Sequence, residues 1–272
     1  MSAATPKGVI EGYRSVEPTV RVKGDTATID ANGVHYKQVN EAIREAIEAG
    51  AATVVVENSN GQRYIGTGIQ ATDVRIEIHG TAGNDLAMFM DGPEVEVFGN
   101  AQDGVGNTMN AGRVVIHGDA GDVLGYGMRG GRVYVKGDVG YRVGIHMKAY
   151  ERHTPIMVCG GAARDFFGEY MAGGMLVLLG MNMQFPDQPI VGSFCGAGMH
   201  GGVIYLRGTV ESWQCGAEVA ITEATEDEKS ALRPIIEDYA LAMGMNADEI
   251  LAAPFTKLTP FSHRPYGKMY AY

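Results

Sequence analysis

Cysteine is scarce in this 272-residue chain: there are three, Cys159, Cys195 and Cys215. An odd number at wide spacing gives no disulfide framework. No C-x-x-C pair is present, so no zinc or iron–sulfur site is expected within the chain. Positive charge is in deficit, with 22 Lys and Arg against 32 Asp and Glu and a net charge of -10. That balance argues against nucleic acid or an anionic membrane as partner. No uninterrupted apolar run is long enough to span a bilayer, and the opening MSAATPKGVI lacks the apolar centre of a signal peptide. A cytoplasmic location is expected. The remaining composition, 45% hydrophobic and 20% charged, is that of a soluble globular chain. The length suits one elongated domain that buries its core without metals or disulfides.

Glycine is the residue in excess, at 39. It does not recur at every third position, which excludes collagen. It recurs every 19: Gly80, Gly99, Gly118 and Gly137 are evenly spaced marker glycines, as are Met90, Met109, Met128 and Met147. The register extends upstream to Gly61 and downstream, through longer steps, to Gly161, Gly180 and Gly208. Two and four residues before each marker the chain is apolar, as in Ile76 and Ile78, Val95 and Val97, Val114 and Ile116. Gly106, Gly125, Gly144 and Gly168 follow their markers by seven residues, and the residue twelve after a marker is small, as at Gly130.

Alternate apolar residues are one face of a short strand. One strand per short repeat cannot bury that face alone, so the repeats must stack. The pattern predicts a mainly-β fold, a right-handed parallel β-helix of about seven coils with capping helices at the N- and C-terminal ends. Glycine would serve left-handed corners and the close approach of backbones. The string Gly125-Tyr126-Gly127-Met128-Arg129-Gly130 also matches the G-x-G-x-x-G of dinucleotide sites. That fingerprint needs a helix after it; here RVYVKGDVG follows, another strand and corner. The glycines are read as structural.

The chain divides into an N-terminal cap with a helix over 1–60, the glycine-rich β-helix over 61–215, and a C-terminal helix and extended arm over 216–272. In HYKQVNEAIREAIEAG, Val39, Ala42, Ile43, Ala46 and Ile47 share one helical face, with Gly50 as C-cap. Thr225 and Glu228 form a capping box that opens a second helix to about Ala242, bent at Pro234. The final stretch APFTKLTPFSHRPYGKMYAY reads as an arm that wraps the chain's own core or docks on a partner.

The coils GNAQDGVGNTMNAG and GDAGDVLGYGMRGG resemble the β-helical domain at the C-terminus of the glutamate synthase large subunit, over about Asp73 to Gly208. The segments NGQRYIGTG and GEYMAGG, with the chain length, resemble the stand-alone version of that domain. The β-helix scaffold subunit of formylmethanofuran dehydrogenase and subunits of methylglutamate synthase are related. The resemblance implies a subunit without chemistry of its own, part of an oxidoreductase complex. A glutamine amidotransferase subunit and a flavin/iron–sulfur synthase subunit would be its partners. It would hold them in register and help enclose the ammonia path. FMN and the iron–sulfur cluster would lie on those partners, with no cofactor or metal in this chain. In isolation the chain could associate with itself. The alternative of another class is an autonomous β-helix hydrolase or lyase, which would need clustered outward carboxylates.

Few residues invite a chemical reading. His79 and His117 precede marker glycines and fall two coils apart, so they read as surface residues. Asn84, Asp103, Asp122 and Asp165 stand four after their markers. Stacked aspartates hold calcium in β-rolls, but Asp and Asn also stabilise tight turns, which is the reading preferred here. Ser193 in VGSFCGAG lacks the spacing of a nucleophile elbow. Two insertions break the period. The first places His146, Lys148, Tyr150, Arg152 and His153 on a polar bulge, a candidate partner or channel contact; the second, MNMQFPDQP, reads as a docking surface or local cap.

Overall fold

The computed structural model describes residues 16–261. The opening MSAATPKGVI and the last eleven residues of the arm lie outside them. The elements are β1 (Thr19–Lys23), β2 (Thr26–Asp30), α1 (Tyr36–Glu48), β3 (Thr53–Gln62), β4 (Arg75–Ala82), β5 (Asp91–Phe98), β6 (Ala111–Ile116), β7 (Arg132–Val135), β8 (Ile156–Cys159), β9 (Ala172–Leu178), β10 (Gly201–Arg207), β11 (Val219–Glu223), α2 (Glu226–Met243), α3 (Ala247–Leu251) and β12 (Phe255–Pro260). All these strands join one sheet in the order β1 through β10, then β12 and β11. From β2 to β10 every pairing is parallel and sequential. This is the stacked solenoid expected from the period, with flanking helices near both ends.

The strand register follows the apolar columns. Ile76, Val95, Val114, Val133, Met157, Leu176 and Ile204 are successive partners. All seven are buried in one continuous interior core with the methionines Met90, Met109, Met128, Met147, Met171 and Met199. The solenoid makes about six turns of about 21 residues, where about seven of 19 were expected. The two insertions lengthen the mean. The upstream register also differs: Gly80 pairs with Ser59, not Gly61, across an irregular stretch of β3. β3 therefore runs through the 60/61 boundary as part of the stack.

The ends close in different ways. His35 caps α1, and Gly50 follows its last turn in the left-handed conformation. Val39, Ala42, Ile43 and Ala46 join the interior core, so α1 lids the first turn. The C-terminal helix α2 has the capping box of Thr225 and Glu228 and continues through Pro234 to Met243. Its buried side chains Leu232, Ile236, Tyr239 and Ala240 join a second core with Val115, Tyr134, Val158, Val177 and Tyr205. These last residues face outward from β6 to β10. Hence α2 lies along the outer wall and not across the end. The end is finished by the arm: β12 inserts between β10 and β11, antiparallel to both, and Leu258 and Val219 reach the interior core.

Asp238 fastens α2 to the wall. Its carboxylate accepts from Arg113 at 3.2 Å, from the Tyr134 hydroxyl at 2.8 Å and from Arg132. The Tyr239 ring meets Tyr134 edge-on at 5.6 Å, and its hydroxyl donates to Val135 O at 3.2 Å. Burial alone would raise the Asp238 carboxyl, but the tyrosine and arginine donors outweigh it and hold it below the usual carboxylate value.

Candidate functional site

The corner after each strand is built on left-handed residues at alternate positions. Val123, Gly125 and Gly127 have φ of 53°, 65° and 58°. Gly104, Gly106 and Thr108 repeat this one turn below, and Arg142, Gly144 and His146 one turn above. The alternation sends successive N–H groups in opposite directions along the stack. Val123 donates upward to Tyr141 O at 2.8 Å, Gly125 downward to Val105 O at 2.7 Å, and Gly127 upward to Ile145 O at 2.9 Å. A phosphate nest needs neighbouring N–H groups that converge and are vacant. These diverge and are engaged, so the glycine string at Gly125 is a corner.

In the later corners the middle glycine is also enclosed. A Cβ on Gly144 would stand 2.5 Å from Leu176 Cδ1, and one on Gly168 2.5 Å from Ile204 Cδ1. Gly68, at the outer position, has nothing within 4 Å. The marker glycines serve a different purpose. Gly99, Gly118, Gly137 and Gly161 lie where a Cβ would overlap the turn below, and none of these four has the left-handed φ. Gly130 is of this second kind, packed on Asn110 backbone. Gly80 combines both demands, whereas Gly180 is left-handed and a Cβ on it would meet the Ile190 side chain.

The acidic column forms staples between turns. The Asp122 N–H donates to Asp103 Oδ1 at 2.9 Å and the Tyr141 N–H to Asp122 Oδ1 at 2.8 Å. The Ser193 N–H does the same to Asp165 Oδ1 at 2.8 Å. A parallel column missed in the sequence stands one after the marker: Asp119 N–H to Asn100 Oδ1, Asp138 N–H to Asp119 Oδ1, and Ala162 N–H to Asp138 Oδ1, at 2.7–3.0 Å. The turn explanation is thus modified: each carboxylate caps the backbone of the next turn, not its own. The residue before each donor is glycine (Gly121, Gly140, Gly192; Gly118, Gly137, Gly161), because a Cβ there would strike the accepting oxygen. The signal was the glycine that stands one turn after an Asp or Asn. Among the described residues no three His, Cys, Asp or Glu side chains gather as a metal site would require.

The solvent side of the stack is aromatic. His79, Phe98 and His117 stack at 4.8 and 5.0 Å on one wall, with His117 Nε2 2.7 Å from Glu96 Oε1; this is the outward ladder expected of the two histidines. On the corner, His146 stacks on Tyr170 at 5.3 Å and meets Tyr126 edge-on. Arg142 lies 4.3 Å over Phe166, which stacks on Phe194, and pairs with Glu169. The first insertion therefore does not hold its five candidate residues together. His146 belongs to the corner column, and Lys148 stays on the ladder by donating its backbone N–H to Met128 O. Tyr150 and His153 close a tight antiparallel turn through mutual backbone bonds, with Arg152 exposed at its tip. His153 leans back toward Asn110 O at 3.4 Å.

The second insertion roofs a cleft of about 250 Å³, lined by Tyr141, Arg164, Phe185 and Trp213 with Asp138 and Asp165 beneath. Asp138 Oδ2 accepts the Gln184 N–H at 3.0 Å and so anchors the insertion. Both carboxylates are committed to backbone donors, and Phe185 and Trp213 are more than half exposed. The cleft offers aromatic edges, one guanidinium and the side chains of Gln188, Ser193 and Gln214. Burial raises all three cysteine thiols, most strongly at Cys159 and Cys195.

Two comparisons say what the chain is similar to. An uncharacterized protein of Methanocaldococcus jannaschii is 44% identical over 252 residues, covering 90% of this chain and 97% of its own. The family model for the GXGXG motif matches residues 26–262, which takes in both the stacked corners and the C-terminal strands, and the chain belongs to that GXGXG family.

Proposed function

We propose that this chain is a non-catalytic β-helix subunit of a multi-subunit glutamate synthase, acting in the cytoplasm. It scaffolds a glutamine amidotransferase subunit and a flavin/iron–sulfur synthase subunit, and helps enclose the ammonia that passes between them. FMN and the cluster belong to the partner. The observation that carries the reading is the extent of the GXGXG match, residues 26–262. The motif accounts for nearly the whole chain, and its polar corner groups are spent on holding turn to turn. What remains for function is the outer surface: the aromatic corner column, the bulge at Lys148–His153 and the aromatic cleft.

Mild purification from the native host with mass spectrometry of the co-eluting chains tests this. Co-elution with an amidotransferase chain and a flavin/iron–sulfur chain supports it. Co-elution with a molybdenum or tungsten subunit moves the chain to a formylmethanofuran dehydrogenase. Glycosidic or ester bond cleavage by the purified chain alone overturns the scaffold reading.

A further inference from the structure

Cys195 and Cys215 are partners in an isolated parallel bridge at the end of the solenoid. The Cys195 N–H donates to Gln214 O at 2.8 Å, and the Gly216 N–H donates to Cys195 O at 2.8 Å. Partners on neighbouring parallel strands carry their side chains on the same face, with backbones about 4.8 Å apart. That spacing lies within the ~4.4–6.8 Å window of Cα atoms joined by a disulfide. Cys195 is buried in the interior core and Cys215 packs against that core while partly open to solvent. The bridge stands alone beside the 3-10 turn of Ser212–Gln214, so the two Cβ atoms are not held apart by a long regular ladder. Cys159 is different: its strand partners are Val135 and Leu178.

We propose that Cys195 and Cys215 form a dithiol site that closes to an intrachain disulfide on exchange with a low-molecular-weight disulfide. The Cys215 thiolate attacks one sulfur of the small disulfide, releasing one small thiol and leaving a mixed disulfide. The Cys195 thiol then attacks the Cys215 sulfur, and its proton leaves with the second small thiol. Two protein thiols are oxidised to one disulfide, and one small disulfide is reduced to two thiols. Partial exposure makes Cys215 the entry point. Burial raises both thiols, which holds them protonated and slows the exchange.

The closed loop would contain β10 and the 3-10 turn. It would fasten the last turn to the one before it, where the antiparallel β11–β12 pair begins. A solenoid end has a stacked neighbour on one side alone and opens first; a covalent clasp there acts on the weakest joint of the stack.

The test uses the full chain, incubated without air in excess glutathione disulfide, quenched in acid, unfolded and alkylated. Peptide mass mapping should show Cys195 linked to Cys215, the loss of two hydrogens, and Cys159 alkylated. Cys215→Ser should lose the internal link, and Cys159→Ser should keep it. The proposal fails if all three cysteines of the unmodified chain are alkylated, if Cys215 stops at a stable glutathione adduct, or if the link includes Cys159. The map of the unmodified chain decides the matter even where a variant folds poorly.

Discussion

Gly99→Ala and Gly68→Ala separate the two purposes that glycine has in this fold. Gly68 has φ of +65° and open space around it. Alanine there costs the left-handed penalty alone, about 1 kcal/mol. Gly99 lacks a left-handed φ, but its Cβ would stand 2.9 Å from the carbonyl carbon of Gly80 and closer still to the oxygen. Backbone cannot rotate away as a side chain can, so the two turns must part by roughly 1 Å out of their ~4.8 Å spacing. Overpacking of that kind costs about 1–3 kcal/mol, and each inter-turn hydrogen bond loosened adds about 1 kcal/mol. With two such bonds loosened the sum is about 3–5 kcal/mol. Urea unfolding followed by circular dichroism, with the slope unchanged between variants, reads the difference. If Gly99→Ala falls within about 0.5 kcal/mol of Gly68→Ala, close packing is not why the marker glycines are glycine.

Gly168→Ala combines both penalties and should cost about 2–4 kcal/mol, with part recovered by Ile204→Val, which removes the Cδ1 that the new methyl strikes. Asp119→Ala removes the acceptor of the Asp138 N–H and should cost about 1 kcal/mol in thermal or urea unfolding, whereas Asp119→Asn should cost less than half of that, as Asn100 already fills this position one turn below. Asp238→Asn should flatten the acid limb of the stability curve. Its folded pKa is lowered, so its contribution is full above the unfolded carboxylate value near ~4 and is lost as pH falls through the lower folded value. An unaltered acid limb in urea melts taken at stepped pH would refute the Asp238 clamp.

The strand columns and the methionine column were legible because solenoid stacking repeats one environment many times. Identical contacts then select similar residues at a fixed interval. The same regularity misled at Gly61, where β3 is irregular and Ser59 takes the register. Corners were legible where glycine fills them, less so at Val123, Arg142 and Phe166, which are left-handed without being glycine. Their N–H bonds to the next turn hold them there against local preference. The position of α2 was written in the strands, though not in the helix. IEI and VEV in β4 and β5 alternate, as strands covered on one side do. VVI, VYV, MVC, LVL and IYL in β6 to β10 do not, as strands buried on both sides do. The cleft and the tight turn at Tyr150–His153 rest on unrepeated residues, for which a period carries no information.

The packed interior constrains the proposed role. Side chains of the strand and methionine columns are fully buried and contiguous from α1 to Leu258, and interiors of this kind are close-packed. Ammonia shielded with this chain's help would therefore pass along its outer wall, between it and a partner, and not down the solenoid axis. Charge reversal at the exposed bulge, Lys148→Glu with Arg152→Glu, should leave unfolding within about 0.5 kcal/mol of the parent, as exposed substitutions do. In the reconstituted complex it should loosen the junction, so that more of the ammonia released from glutamine escapes to bulk solvent per glutamate formed. Met128→Leu, a near volume-conserving change in the axis, should cost less than about 1.5 kcal/mol and leave that ratio unchanged. An altered ratio from Met128→Leu with none from the bulge variant would place the path inside the solenoid and refute the wall.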